Sequence, residues 1–231
     1  MTATSFRLRL SALLFTLGAA LANAQEVPGC GDLRDSTGPY DYRTGPPETR
    51  ALVEKFHFTV GVEKLMGGHS GKLGGDLDYT LRAFPNHHRA LIAMTTYGQR
   101  LKLPQVPAAR YPVECYFARA LQFAPDDTIA RLLYASYLFQ NARDTEAEAQ
   151  IVTTIQYAGD NGFSHYNIGM VLAEHGRYEQ ALEQAHKAAA LGFERPQLRD
   201  LLVKAGRWQD PPAAAASAPT GSPSAQTETP R

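Results

Sequence analysis

The clearest hydrophobic pattern in the chain surrounds Ile168. Ile168 and Leu172 recur at helical spacing with Gly169 beside them, which is typical of a helix that packs along one face. Gly176 then ends this helix, because glycine accepts the positive φ that a helix C-terminus often requires. Small residues return at helical spacing between Tyr178 and Ala190. The pattern predicts two helices joined by a tight turn, which is a helical hairpin.

The same pattern occurs a second time, from Thr128 onward, so that the period is about 34 residues. The helix-packing positions of this copy hold Tyr134, Ala135, Leu138, Ala142, Ala147 and Ile151. A single hairpin cannot bury its apolar face alone, so recurrence at a fixed period predicts stacked repeats.

A third and more divergent hairpin is predicted before these two. Its second helix is expected at Tyr111–Ala124. Its first helix does not follow by counting, because Pro104 and Pro107 fall inside the expected span and proline interrupts a helix. We therefore place that helix at Asn86–Leu101, with Asn86 as N-cap, followed by a longer loop through residues 102–110.

The segment 162–195 resembles a tetratricopeptide repeat. The residues that carry the resemblance are Ile168, Gly169, Leu172, Gly176, Tyr178, Ala181 and Ala188, where the family places small or apolar residues between antiparallel helices. The copies are divergent: Arg131 and His165 stand where the family often has an aromatic residue, and Gly159 and Phe193 replace its usual proline. The resemblance implies an all-α fold, a short TPR-like α-solenoid of about three helical hairpins.

The resemblance also implies a binding groove along the first helix of each repeat. The positions that line it in the family correspond here to Ile129, Leu132, Ser136, Phe139, Gln140, Phe163, Tyr166, Met170, Ala173 and Glu174. This set is largely apolar and lacks the Lys, Asn and Arg residues with which some members bind a terminal carboxylate. An amphipathic helix or an extended peptide is the partner that such a surface favours. The alternative is that the chain's own N-terminal arm covers the groove.

The remaining segments complete the expected organisation. Residues 1–24 have two arginines, an apolar core and an Ala-Asn-Ala cleavage site, as in a secretory signal peptide, which predicts a periplasmic or secreted protein. Residues 25–85 are predicted to be an irregular, loop-rich arm. The repeat domain then covers residues 86–209 and ends in a capping helix near Pro196–Ala205. Residues 210–231, rich in Pro, Ala, Ser and Thr, are predicted to be a disordered tail.

Within the arm, only short elements are expected. Arg50–Phe58 is compatible with a strand or a helix, and Thr59–Met66 predicts a brief helix with Thr59 as N-cap. Three glycines at positions 71, 74 and 75 predict loops up to Asp76.

Export changes what the two cysteines are expected to do. Cys30 and Cys115 are the only cysteines in the chain. Thiols in an oxidising compartment tend to pair, so we predict a disulfide between them; two unpaired cysteines are the alternative.

Charge and chemistry exclude several classes of function. Basic and acidic residues are equal at 23 each, which does not suggest a nucleic-acid partner, and no membrane span is expected after signal cleavage. No cofactor motif or catalytic constellation is present, because the glycine-rich stretch near Lys72 lacks the residues of a phosphate-binding loop. We therefore expect a non-enzymatic protein-protein interaction module, a scaffold or adaptor in a cell-envelope assembly.

One competing interpretation assigns chemistry to the arm. Its polar residues are His57, His69, Asp76, Asp78, His87 and His88. Imidazoles and carboxylates are metal ligands, so a metal-dependent enzyme or binding protein is the alternative, although no tight ligand spacing is present. The other possibility for these residues is a structural role in turns, caps and packing.

Overall fold

The computed structural model describes residues 29–34 and 38–211. These residues form ten α-helices and no strand, which confirms the predicted all-α fold class. The helices are α1 (Pro47–His57), α2 (Val60–Glu63), α3 (Leu73–Ala83), α4 (His88–Leu101), α5 (Val113–Phe123), α6 (Thr128–Gln140), α7 (Asp144–Ala158), α8 (Gly162–Glu174), α9 (Tyr178–Ala190) and α10 (Pro196–Lys204). The predicted signal peptide, residues 1–24, and residues 212–231 of the predicted tail lie outside the described residues.

The hairpins α6–α7 and α8–α9 have the same local geometry at equivalent positions. Asp127 caps the N-terminus of α6 with its side chain, and Asn161, at the equivalent position of the next hairpin, does the same for α8. The two turns also correspond, because Ala142 (φ 57°) and Gly176 (φ 74°) both adopt a left-handed conformation. The period in the sequence is therefore a period in backbone conformation.

Successive helices pack in chain order. Helices α4, α6, α8 and α10 contact one another in series. Helices α5, α7 and α9 each contact the helix that follows in the chain. One buried cluster joins the arm to α4 and α5, and a second joins α6 to α10. Tyr134 and Tyr137 on α6 pack against both clusters. The two halves therefore share a continuous interior.

The N-terminal arm is more regular than the sequence predicted. It contains α1, α2 and α3, and α1 and α3 pack against each other while α3 packs against α4. Arg50–Phe58, left open between strand and helix, belongs largely to α1. Thr59 caps α2, as expected, because its hydroxyl accepts a hydrogen bond from the Val62 amide.

The prediction that glycines keep the chain in loops up to Asp76 is wrong from Leu73 onward. Helix α3 begins at Leu73 and includes Gly74 and Gly75. A Cβ at position 74 would lie 2.2 Å from the carbonyl oxygen of Pro107, so the absent side chain lets the helix approach the 102–112 loop. Here glycine permits close packing of a helix instead of breaking it.

The predicted N-cap of α4 is also wrong by one residue. The cap is His87, whose Nδ1 accepts a hydrogen bond from the Ala90 amide at 3.1 Å. Asn86 is fully buried and binds the arm instead of capping α4. Its Oδ1 accepts a hydrogen bond from the Tyr42 amide at 2.9 Å. Its Nδ2 donates to Asp127 at 2.8 Å.

The predicted disulfide is present. Cys30 and Cys115 are joined with an S–S distance of 1.98 Å and a sequence separation of 85 residues. Next to it, the buried Arg119 of α5 donates hydrogen bonds to the carbonyls of Cys30 and Asp32 at 2.9 and 3.0 Å. The start of the described chain is thus fixed to α5 both covalently and by hydrogen bonds.

Helix α10 closes the C-terminal end. Pro196 lies in its first turn, where backbone N–H groups have no partner within the helix, so the missing N–H of proline costs no hydrogen bond. The buried Leu198 packs on Gly169 of α8, where a Cβ would lie 2.6 Å from the leucine Cδ2. No helix in the described part of the chain is long and apolar enough to cross a membrane.

Substitution of two adjacent glycines tests the close packing of α3. We expect Gly74→Ala to lower the free energy of unfolding by about 1 to 3 kcal/mol, because its Cβ collides with backbone that cannot move aside easily. Gly75→Ala is the matched control: its nearest neighbours lie 3.7 Å away, and alanine favours the helix by about 1 kcal/mol. Denaturant unfolding of both variants measures the difference. Equal stability of the two would contradict this account of α3.

Removal of the disulfide tests how the arm is fixed. We expect Cys30→Ser together with Cys115→Ser to lower the free energy of unfolding by about 4 kcal/mol, because the crosslink restricts a long loop of the unfolded chain. The measurement is denaturant unfolding of the oxidised parent, the reduced parent and the double variant. The reduced parent should match the variant, and an unchanged midpoint would show that the bond contributes no stability.

Candidate binding groove

The candidate groove is the solvent-facing surface of α4, α6 and α8. Of the ten residues predicted to line it, seven retain access to solvent and three are buried. Phe163 is 50% exposed and Ile129, Ser136, Tyr166 and Met170 are partly exposed. Leu132 and Phe139 are 3% and 8% exposed, so they belong to the packing between helices. Of the remaining three positions, Gln140 and Glu174 retain access to solvent and Ala173 is buried.

Phe139 is buried by the following repeat. Its ring stacks on the imidazole of His175 with the centroids 4.9 Å apart. The guanidinium of Arg177 lies over the same ring at 5.3 Å. Both partners follow α8 directly, so position 139 holds two repeats together. The repeat pattern of the sequence cannot show this, because the residues that cover Phe139 come from the neighbouring repeat.

One end of the groove is polar and rich in amides. The side chains of Gln99 on α4 and Gln140 on α6 are hydrogen-bonded to each other and exposed. Gln140 also donates to the Ser136 hydroxyl at 3.4 Å, and that hydroxyl contacts His175 Nε2 at 2.9 Å. Burial lowers the pKa of His175, so its imidazole is neutral at pH 7. The resulting row offers hydrogen-bond donors and acceptors without charge.

The other end of the groove is aromatic. Phe163 packs edge-on against Phe193 with the ring centroids 5.5 Å apart, and Tyr166 lies 5.4 Å from the same ring. The Tyr166 hydroxyl donates to Gln197 Oε1 at 3.2 Å. Half of the Phe163 side chain remains exposed, which marks this end as an apolar contact surface.

Sequence reasoning missed four residues of this surface: Gln99, His175, Phe193 and Gln197. The last three lie outside the first-helix positions that the family pattern assigns to the groove. Gln99 was missed because α4 begins more than one repeat length before α6, so counting back by one period does not reach it.

The described part of the arm packs against α4. The arm helices contact one another and α4. Its loop reaches the start of α6, where Arg43 pairs with Asp126 at 3.0 Å. The contacts of Phe163 and Tyr166 come instead from the segment around Phe193. This placement favours an open groove over a groove filled by the arm.

Asp76 is the centre of one polar cluster in the arm. It is buried at the start of α3 and accepts hydrogen bonds from the amides of His69 and Ser70 at 2.6 and 3.1 Å. Its Oδ1 contacts His57 Nδ1 at 3.0 Å, and the His57 ring stacks on Tyr79. The His69 side chain is exposed and contributes only its backbone. Asp76 thus ties the 69–70 turn to α1 and α3.

Asp78 points to a different set of partners. It accepts hydrogen bonds from the Tyr116 hydroxyl at 2.6 Å, from the Arg82 side chain at 2.9 Å and from the Arg110 amide at 3.1 Å. Burial, with Asp78 nearby, raises the pKa of Tyr116. Across residues 29–34 and 38–211, no group of three or more His, Cys, Asp or Glu side chains is placed to hold a metal ion.

His87 and His88 also have separate structural partners. His87 is fully buried, and with Nδ1 accepting from Ala90 its Nε2 donates to Glu54 at 3.1 Å. Burial, with a contribution from Arg89, lowers the pKa of His87 to about 3. His88 Nε2 contacts the Asp127 carboxylate at 2.9 Å.

Comparison with protein families, with curated proteins and with solved structures gave no match. The class of protein therefore rests on the repeat geometry and the groove alone.

The buried His87 predicts a specific loss of stability in acid. The unfolded chain binds a proton on this residue below about pH 6.5, whereas the folded chain does not until about pH 3, so stability falls as pH falls through this window. The slope from this residue is about 1.4 kcal/mol per pH unit.

His87→Asn isolates the effect, because asparagine can also cap α4 but does not titrate. Denaturant unfolding from pH 7 to pH 4.5 should give a shallower pH slope for the variant, whatever its stability at pH 7. The same slope in both proteins would show that another group is responsible.

Proposed function

We propose that this chain is an exported helical-repeat module of the tetratricopeptide type that binds a protein or peptide partner. Support comes from the repeated geometry of the two central hairpins. Their helices end alike, at Asn141 (φ −100°, ψ 16°) and His175 (φ −102°, ψ 16°). Their turns close alike, because Arg143 and Arg177 each donate a backbone hydrogen bond to the leucine carbonyl five residues earlier.

The observation that carries the proposed binding role is the chemistry of the groove. A row of neutral hydrogen-bonding groups around Gln99 and Gln140 leads toward a half-exposed aromatic residue, Phe163. Amides can pair with the backbone of a bound segment, and aromatic side chains are common anchors in interfaces. The surface is thus suited to binding an uncharged stretch of polypeptide.

The proposed location is the cell envelope or the exterior of the cell. The Cys30–Cys115 disulfide is compatible with an oxidising compartment. The proposed role is that of a scaffold or adaptor, because the acidic and imidazole side chains of the arm and of the start of α4 bond to groups that hold helices and turns in place. Binding of a partner explains why the groove residues are exposed, and it requires no catalytic reaction.

Photo-crosslinking from two positions tests this function. A benzophenone amino acid is placed at position 163 in the groove or at Val152 on α7, which is 55% exposed and lies outside the groove. We expect position 163 to give discrete covalent adducts in the native envelope and position 152 to give none of the same mass. Mass spectrometry of the adducts identifies the partner.

The groove substitution must keep the fold. Phe163→Ser changes a half-exposed side chain, whereas a change at Leu132 would disturb the interior. Val152→Ser is the matched control. We expect the Phe163 variant to lose the partner in a pull-down and the Val152 variant to retain it. The proposal would be contradicted if both crosslinking positions gave the same adducts, or if both variants retained the same partner in the pull-down.

A further inference from the structure

A second site lies at the C-terminal end of the fold, between α9, α10 and the segment after α10. It is a cavity of about 520 Å³, a volume in the range of small-molecule sites. Its lining is mainly apolar and includes Tyr166, Ala189, Phe193, Leu198 and Trp208. Apart from Tyr166, these residues were not among the positions predicted to line the groove.

The wall formed by Trp208 is held in place by several contacts. Its backbone amide donates to the Leu202 carbonyl at 3.2 Å, and its indole N–H donates to Asp210 at 3.0 Å. The ring packs edge-on against His186, whose Nε2 contacts the Gln209 carbonyl at 2.8 Å. One wall of the cavity is therefore formed by a segment with defined contacts.

Two arginines line the same cavity and lie over its aromatic rings. The Arg199 guanidinium lies 5.2 Å from the Trp208 ring centre, and that of Arg195 lies 5.8 Å from the Phe193 ring centre. A guanidinium that contacts a ring through its flat face keeps its in-plane N–H groups available for a planar anion.

The two arginines also lack a carboxylate partner in the described part of the chain. Other arginines are paired, as Arg177 is with Asp144 and Glu148 at 2.8 and 3.1 Å. Arg195 and Arg199 are exposed, and each lies over an aromatic ring of the lining. They can therefore bind an incoming carboxylate without breaking an existing ion pair.

The charge balance of the lining limits what the ligand can be. Glu194 and Asp210 also line the cavity, so the lining holds two arginines and two acidic residues. Asp210 already accepts the indole N–H of Trp208. A polyanion would meet these carboxylates as well as the arginines, so a ligand with a single carboxylate suits the lining better. Because the walls of the cavity are apolar, the rest of the ligand must be apolar as well.

We propose that this cavity binds a small monocarboxylate with an aromatic or branched apolar body. Arg195 and Arg199 bind the carboxylate, and Phe193 and Trp208 cover the body of the ligand. This site is additional to the groove and does not depend on its proposed function.

The single tryptophan of the chain reports on the site directly, since it forms a wall of the cavity. Phenylbutyrate is the probe, phenylbutanol is its uncharged counterpart, and inorganic phosphate tests for simple anion binding. We expect a saturable change in Trp208 fluorescence with phenylbutyrate and none with phosphate. No saturable change with phenylbutyrate, or an equal response to phosphate, overturns the proposal.

Calorimetry on variants then locates the bound probe. Arg195→Gln with Arg199→Gln should weaken phenylbutyrate binding by about tenfold or more, since charge-assisted hydrogen bonds are lost, and leave the weaker binding of phenylbutanol unchanged. Arg100→Gln, on the exposed side of α4, is the control and should bind like the parent. Ala189→Phe should abolish binding of both probes by filling the cavity. Parent-like binding by either cavity variant places the ligand elsewhere and overturns the proposal.

Discussion

The buried carboxylate of Asp127 is the interaction on which the arrangement of the N-terminal half depends. It caps α6 by accepting from the Ile129 and Ala130 amides at 3.1 and 3.0 Å. It also accepts from Asn86 at 2.8 Å and contacts His88 at 2.9 Å. Three parts of the chain therefore meet on one residue: the α3–α4 junction, α4 and α6.

Asp127 remains charged although it is buried. Burial raises the pKa of its carboxyl, but hydrogen bonds from His88, the Ala130 amide and Asn86 outweigh this and hold the pKa below its usual value. A negative charge at a helix N-terminus also interacts favourably with the helix dipole. Because a buried charge without these partners would be strongly unfavourable, Asp127 constrains the register between α4 and α6.

The sequence predicted those parts of the fold that depend on local pattern. The hairpins α6–α7 and α8–α9 were predicted because their packing positions recur at a fixed period and Gly176 marks the turn of the second hairpin. Helix α3 was missed because Gly74 is explained only by Pro107, which lies beyond α4 in the chain. The burial of Phe139 was missed for the same physical reason, since its cover comes from the next repeat.

Tyr166 connects the two surfaces for which binding is proposed. Its hydroxyl bonds to Gln197 and its ring packs on Phe193 at the aromatic end of the groove, and the same residue lines the C-terminal cavity. Phe193 likewise contacts Phe163 in the groove and the Arg195 guanidinium at the cavity. A ligand that repositions Phe193 in the cavity would therefore alter the apolar anchor of the groove, and a groove partner would affect the cavity in return, since coupling between two binding sites is reciprocal.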